Sequence, residues 1–396
     1  MQANSLGATV RDFRDRSGPR HIRIDPLLLL AVLGLAVCSL YTIATATQDD
    51  VAGSPHYYLY RQAVYVGIGL VLMLLISRLD YTRLREAKAG LYAALIASIV
   101  LVFALGTVSK GAKRAIELPF FEIQTSELGK VLLILALSAV LVDRVRMIGS
   151  RETTSRAMLL VLIPALLVIA QPDLGTGLVY ISIGLVTLFV AGTKLSHFAV
   201  LGALAAAAVA IVLVAAPAAG VEVLKPYQTA RLTSFVNPSD NLNREGYQQQ
   251  QSQVAIGAGG KTGRGDQATQ TKLNFLPEHH TDFVFAVVGE EFGFAGAAIV
   301  LSLFALLIWR ALRILTMSKD LFGTLIAAGV LAMLMHQIFI NVGMTIGIMP
   351  ITGVTLPLMS YGGSSVLVTF IALGLLQSVH AQARETAFAK GGGLAI

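Results

Sequence analysis

Ten apolar runs, at about 26–46, 59–77, 89–106, 127–142, 157–170, 174–191, 197–216, 283–309, 321–348 and 356–380, constrain this chain more than any other feature. Crossing about 30 Å of hydrocarbon takes roughly 20 apolar residues in a helix. A backbone in lipid must also satisfy its own hydrogen bonds, which favours helices. The runs predict an all-α polytopic membrane protein with about ten transmembrane helices. Of the 396 residues, 55% are hydrophobic and 13% charged, and the mean hydropathy is +0.71, too apolar for a soluble two-domain protein. The expected layout is a basic tail (1–25), helices one to seven (26–216), a long loop (217–281), helices eight to ten (282–380) and a C-terminal tail (381–396).

The net charge of +7 could suggest a nucleic-acid partner, but its distribution argues for topology instead. Arg11, Arg14, Arg16, Arg20 and Arg23 precede the first run; Arg78, Arg83, Arg85 and Lys88 follow the second; Arg144, Arg146, Arg151 and Arg156 follow the fourth; Arg310, Arg313 and Lys319 follow the eighth. The short connection at 47–58 holds Asp49 and Asp50 and no Lys or Arg. The positive-inside rule then puts both termini in the cytoplasm and the 217–281 loop outside it. The basic tail shows no small-residue cleavage site after the first run, so it reads as retained and not as a signal peptide. Cys38 is the single cysteine, which excludes an intrachain disulfide and a cysteine-based metal site.

Chemistry gathers at 271–296, TKLNFLPEHHTDFVFAVVGEEFGFAG, where Glu278, His279, His280, Asp282, Glu290 and Glu291 meet an apolar run. A charge near the bilayer centre costs about 2.5–3.5 kcal/mol, so acids there face protein or trapped water. If 283–309 is one helix, Asp282 stands at its mouth and Glu290 about 10 Å further down. Asp282, Ala286, Gly289, Gly293 and Ala297 then share a face of small residues that another helix can approach. The alternative is that Thr281 or Asp282 merely caps the helix.

Other polar groups divide in the same way between plain and functional roles. Arg61, two residues inside the second run, can snorkel to the interface or face a polar cavity. The 106–131 segment, GTVSKGAKRAIELPFFEIQTSELGKV, puts Lys110, Lys113 and Arg114 on the side where basic residues are disfavoured. Cations there suit a phosphate or diphosphate. Glu127 and Lys130 are spaced for an ion pair on one helix face. Asp173, in the turn QPDLGTG, is either a turn and cap residue or a site acid. The long loop is expected to be partly ordered. Its IGAGGKT resembles a phosphate-binding loop, but Ala255 replaces the first glycine and no strand precedes it, so that reading is rejected. His336, Gln337 and Asn341 read as interhelical hydrogen bonders. The pair His279 and His280 reads as a poor metal motif, since neighbouring side chains on a helix diverge, and no dedicated metal cage is visible.

In chain order, GAKRAIELPFFEIQTSELGK, QPDLGTG, LNFLPEHHTDFVFAVVGEEFG and NVGMTIGIMPITGVTLPLMSYGGSS resemble the SEDS family (shape, elongation, division and sporulation) of bacterial peptidoglycan glycosyltransferases. The match covers nearly the whole chain, and the histidine pair is more like the family's elongation member than its division member. The resemblance implies an enzyme of the bacterial cytoplasmic membrane, with its site on the extracytoplasmic side. It would polymerise lipid II into a growing glycan strand beside a class B penicillin-binding protein, with membrane lipid around it and no nucleic-acid partner. The family's essential aspartate falls on Asp282, expected as general base. Arg61, Lys113, Arg114, Glu127, Lys130, Asp173, Glu278 and His280 are the expected binding residues. No cofactor is assigned, although a divalent cation could share the charge of the leaving diphosphate. Ala115 and Thr125 depart from the tryptophan and proline common in the family, which predicts altered packing.

The rival from another class is a lipid-linked precursor flippase, which would also show buried charge and broken helices in the membrane. No inverted repeat is apparent between the halves, and the polar groups gather toward one side. A noncatalytic scaffold would explain a partner but not the acids around Asp282.

Overall fold

The structure is a computed structural model that describes residues 24–48, 50–51, 53–109, 112–118, 121–220, 228–229, 244–273 and 275–391. The basic tail with Arg11, Arg14, Arg16, Arg20 and Arg23, and also Asp49 and Lys110, lie outside the described residues. Helices α1 (Pro26–Ala46), α2 (Tyr57–Ser77), α3 (Lys88–Leu105), α4 (Thr125–Asp143), α5 (Arg151–Ala170), α6 (Leu174–Ala191) and α7 (Leu195–Ala218) form the first half. After the loop helix α8 (Arg244–Gly259) come α9 (Val284–Met317), α10 (Leu321–Thr345) and α11 (Gly363–Gly391). Among the described residues, nine helices are long and apolar enough to cross a membrane, and α3 is a shorter apolar tenth. The all-α, ten-span expectation therefore holds.

The helices start where their caps dictate. Asp25 accepts from the amides of Leu27 and Leu28 ahead of Pro26 at the first helical turn, a position that suits proline. Ser150, Asp173 and Asp320 cap α5, α6 and α10 through Thr153, Thr176 and Gly323. At α6, Gly192 ends the helix in the left-handed region at φ 94, which glycine enters without a Cβ penalty.

The most enclosed spans are α4, α10 and α11, whereas α7 has no buried residue. Around that centre α2 packs on α11, α6 on α10, α3 on α4 and α1 on α9. Burial is tight enough to require glycine: a Cβ on Gly69 would meet Phe370, and one on Gly129 would meet the Tyr180 hydroxyl.

Three expectations change. Between α3 and α4 the chain forms an antiparallel meander of β1 (Thr107–Ser109), β2 (Ala112–Leu118) and β3 (Phe121–Ile123), with Thr107 opposite Ala115 and Ile116 opposite Ile123. The eighth span is not one helix from the residue after Asp282, because Gly293 breaks it with φ 62 and ψ −158. The cause is a crossing chain: a Cβ on Gly293 would lie 2.3 Å from the Gly263 amide nitrogen. At the C-terminus α11 runs through Arg384 and Glu385 to Gly391, past the expected boundary at 380.

At the end of the bundle remote from Asp282, Asp25 is fully buried and joins α9 and α11. Arg310 donates to it through both Nε and Nη2, Gln377 accepts from its amide, and His380 stands 3.6 Å away. Burial works against ionisation there, but the Arg310 guanidinium and the Leu28 amide hold the Asp25 carboxyl below the usual carboxylate range.

Candidate active site

Alternation of the spans brings one set of helix ends together: the C-termini of α1, α3 and α10, and the N-termini of α2, α4, α6, α9 and α11. The segment between α10 and α11, residues 346–362, ties several of these together. Asn341, fully buried on α10, donates from Nδ2 to the Asp282 carbonyl at 2.8 Å and to the Val354 carbonyl at 2.7 Å. Across the same segment, a Cβ on Gly353 would lie 3.5 Å from Asp282 Oδ2. At α6, a Cβ on Gly175 would lie 2.9 Å from the Thr352 carbonyl oxygen. Asp282 and the start of α6 thus meet through residues 352–354.

Asp282 is half-buried in a turn before α9. It is not the helix cap, which is Phe283 with no side-chain cap bond. The turn is organised by Glu278, whose φ is 58 and whose carbonyl accepts from the amides of Thr281, Asp282 and Phe283. The Glu278 carboxylate accepts from Thr281 Oγ1 at 3.0 Å.

The neighbouring acids are committed to architecture. Glu290, fully buried, accepts from the amides of Gln270 (2.8 Å) and Thr271 (3.0 Å) and from Thr271 Oγ1 (2.7 Å). Glu291 accepts from Thr45 Oγ1 on α1. Close approach to the small-residue face is present and is made by α8: a Cβ on Gly259 would fall 1.8 Å from the Gly289 carbonyl oxygen. Ser252 of α8 donates to the Thr345 carbonyl at 2.8 Å. The partial order expected of the long loop is realised in this helix, and IGAGGKT ends a helix where a phosphate loop would begin one.

Glu127 and Lys130 form the expected pair at 2.7 Å, both side chains buried. Beside them Asp173 caps α6 through Thr176 and accepts from Gln124 Nε2 (3.2 Å) and Ser126 Oγ (3.1 Å). Its cap role is therefore real, and it also fastens α4 to α6. Tyr180 donates to the Ser126 carbonyl at 2.9 Å. Lys113 and Arg114 occupy the middle of β2; their side chains lie outside the described residues. Ala115 is buried, and Thr125 opens α4 at a position where proline is also well tolerated.

On the other flank Arg61 donates to the Tyr57 hydroxyl at 2.7 Å and lies over the Tyr57 ring. Burial pushes the Tyr361 phenol above its ordinary value, against the pull of Arg61. The Tyr361 amide donates to the His280 carbonyl at 2.9 Å, and the His280 ring contacts Tyr58 and Tyr361 with centroids 4.7 and 5.7 Å apart. His279 and His280 lie in a turn, not on a helix, so they do not diverge as expected. Both approach Asp50: His279 Nε2 at 3.2 Å and His280 Nδ1 at 3.7 Å from Oδ2. Asp50, Tyr58, Tyr361 and the Asn341 clamp were not legible as site residues. The signal available for Asp50 was an acidic connection without Lys or Arg.

Residues 23–385 match the family model described as cell cycle protein, FtsW, RodA and SpoVE. The chain is 39% identical over 374 residues to a probable peptidoglycan glycosyltransferase FtsW of Thioalkalivibrio sulfidiphilus, covering 92% of this chain and 91% of that one. It is 37% identical over 363 residues to the peptidoglycan glycosyltransferase MrdB of Escherichia coli K12, covering 91% and 94%. It also superposes with a TM-score of 0.77, at 34% identity over 91% of this chain and 99% of the other, on a chain from a peptidoglycan synthase complex described as coordinating polymerization and crosslinking.

Proposed function

The chain belongs to the cell cycle protein family of FtsW, RodA and SpoVE, and from that membership we propose that it is a peptidoglycan glycosyltransferase that polymerises lipid II in the bacterial cytoplasmic membrane. The site would face the extracytoplasmic side. Arg78, Arg83, Arg85, Arg144, Arg146, Arg151, Arg310 and Arg313 all stand at the opposite end of the bundle, which by the positive-inside rule is cytoplasmic. Both termini then lie in the cytoplasm.

In the proposed reaction the 4-hydroxyl of the acceptor's terminal N-acetylglucosamine attacks the anomeric carbon of the donor's N-acetylmuramic acid. The new glycosidic bond forms as the bond to the diphosphate breaks, with inversion at that carbon. Asp282 takes the hydroxyl proton, a general-base contribution of about 10²–10⁴ in rate. Undecaprenyl diphosphate departs, and its charge needs cations placed in advance in a water-poor setting. Arg61, Lys130, Lys113 and Arg114 are the candidates for that task, with Glu127 and Asp173 holding the framework. Glu278 and His280, on the same turn as Asp282, complete the binding set.

One observation carries this reading: how the fold treats its acids. Glu290, Glu127 and Asp173 are buried, whereas Asp282 is half-buried, open enough to reach a substrate, and its backbone is fixed by Asn341 and by the Glu278 turn. The test is polymerisation of labelled lipid II by the purified protein, alone and with a class B penicillin-binding protein, comparing wild type with Asp282→Ala on a glycan gel. Polymer from wild type and none from the folded variant supports the assignment. Equal polymer from both removes Asp282 from the chemistry.

An elongation role is favoured by the histidine pair before Asp282, since identities of 39% to an FtsW and 37% to MrdB do not separate the two branches. Depletion should then round the cells; filamentation would assign the protein to division.

A further inference from the structure

We propose that Asp50, His279 and His280 form a binding site for a divalent transition-metal ion of zinc's ligand preference, which clamps the α1–α2 connection to the turn carrying Asp282. The three residues come from two distant parts of the chain, yet one donor atom from each lies within 4.8 Å of the others. Two of the edges are 3.2 and 3.7 Å, from His279 Nε2 and His280 Nδ1 to Asp50 Oδ2. Tetrahedral zinc with metal–ligand distances of about 2.0–2.1 Å needs donor–donor edges of about 3.3 Å. Side-chain adjustments on the order of 1 Å would therefore close the triangle around an ion.

The protonation pattern fits as well. The Nδ1 edge of His279 faces the Leu276 carbonyl at 3.2 Å. A proton held there leaves Nε2 as the lone-pair nitrogen, and that division of labour is the usual outer-shell arrangement of a metal-bound histidine. Nε2 is buried and makes no hydrogen bond, although Asp50 Oδ2 lies 3.2 Å away. A simple hydrogen-bonded pair would use that atom better. His280 is held by Tyr58 and Tyr361, so its approach to Asp50 does not rest on a freely rotating side chain. Imidazole suits zinc and its neighbours, whereas magnesium and calcium prefer oxygen donors. Three protein donors leave a fourth position for water or a substrate oxygen.

The inference goes beyond the glycosyltransferase reading, and its test does not use turnover. Protein purified without a polyhistidine tag is stripped with chelator and titrated with Co²⁺, following the visible absorption that distinguishes tetrahedral from octahedral cobalt. One equivalent with a tetrahedral band, displaced by Zn²⁺ and not by excess Mg²⁺, is expected, together with a rise in melting temperature on loading. His279→Gln and Asp50→Asn should each lose the band and weaken Zn²⁺ binding by more than about 100-fold, beyond the 10–100-fold typical of changes to outer-shell partners. The conservative His279→Gln keeps the Leu276 contact available if Asp50→Asn does not fold. No tetrahedral band in wild type would overturn the site. An unchanged band in both variants would place the ion on other histidines and overturn it too.

Discussion

Replacing Asn341 with alanine tests whether the placement of Asp282 sets the rate. One side-chain amide serves two carbonyls, those of Asp282 and Val354, at 2.8 and 2.7 Å, from a fully buried position. A buried acceptor left without a donor costs about 1–3 kcal/mol, so the two together bound the loss at about 2–6 kcal/mol, toward the lower end if water enters. The chain can escape part of that cost by moving the Asp282 turn toward other donors. A shift on the order of 1 Å in a catalytic group costs about 10²-fold in rate, equivalent to about 2.7 kcal/mol of barrier at 1.36 kcal/mol per decade. A displacement of that size is the expected result of the turn seeking other donors for the two carbonyls. Initial rates with fluorescent lipid II should show kcat down about 10- to 100-fold and a smaller rise in KM, because Glu278 and His280 move with the turn while the diphosphate-binding candidates lie elsewhere. Asn341→Asp keeps the shape but sets a carboxylate against two carbonyls, and should be no better. Wild-type kcat in an Asn341→Ala protein whose melting temperature has fallen would show that the clamp stabilises the fold without positioning the base.

Two further outcomes are expected. Lys130→Met leaves Glu127 as a buried unpaired charge and should destabilise by about 3–5 kcal/mol; adding Glu127→Gln should restore much of the thermal stability but, if Lys130 binds diphosphate, none of the polymerase rate. Folding lowers the Asp25 pKa below its unfolded value of about 3.9. Its stabilisation is therefore complete above that pH and is lost as acid titrates the carboxyl through its folded value. Melting temperature followed from pH 7 downward should show an acid limb below about pH 4 that is shallower in Asp25→Asn, and parallel curves would refute this assignment.

Hydropathy made the ten spans legible because each must cross lipid alone, so the information is local. Glu127 with Lys130 was legible for the same reason, as a spacing within one helix. What escaped was set by tertiary approach. Strands of three, seven and three residues carry too little pattern to announce a sheet, and their register comes from pairing with one another. Several glycines lie along 289–296, but only the crossing of the 259–263 segment selects Gly293 as the break. Glu290 looked like a membrane acid because its amide partners, Gln270 and Thr271, belong to a loop whose course the sequence does not reveal. Asp50 looked like a topology signal since its histidines lie far along the chain. The adjacency of those histidines argued against convergence only on the premise of a helix.

The break at Gly293 also sets the height of the site above the lipid. Past it, 294–317 contributes 24 helical residues, about 36 Å at 1.5 Å per residue, enough by itself to cross about 30 Å of hydrocarbon. The preceding piece, Val284–Phe292, is thus surplus to the crossing and is packed among protein, with α8 against it. A crossing that begins near Phe294 would leave Glu290 and Glu291 outside the hydrocarbon, with no lipid penalty. On the proposed function, Asp282 would then stand in the head-group layer, level with the phosphates of a lipid-anchored sugar whose tail remains in the bilayer.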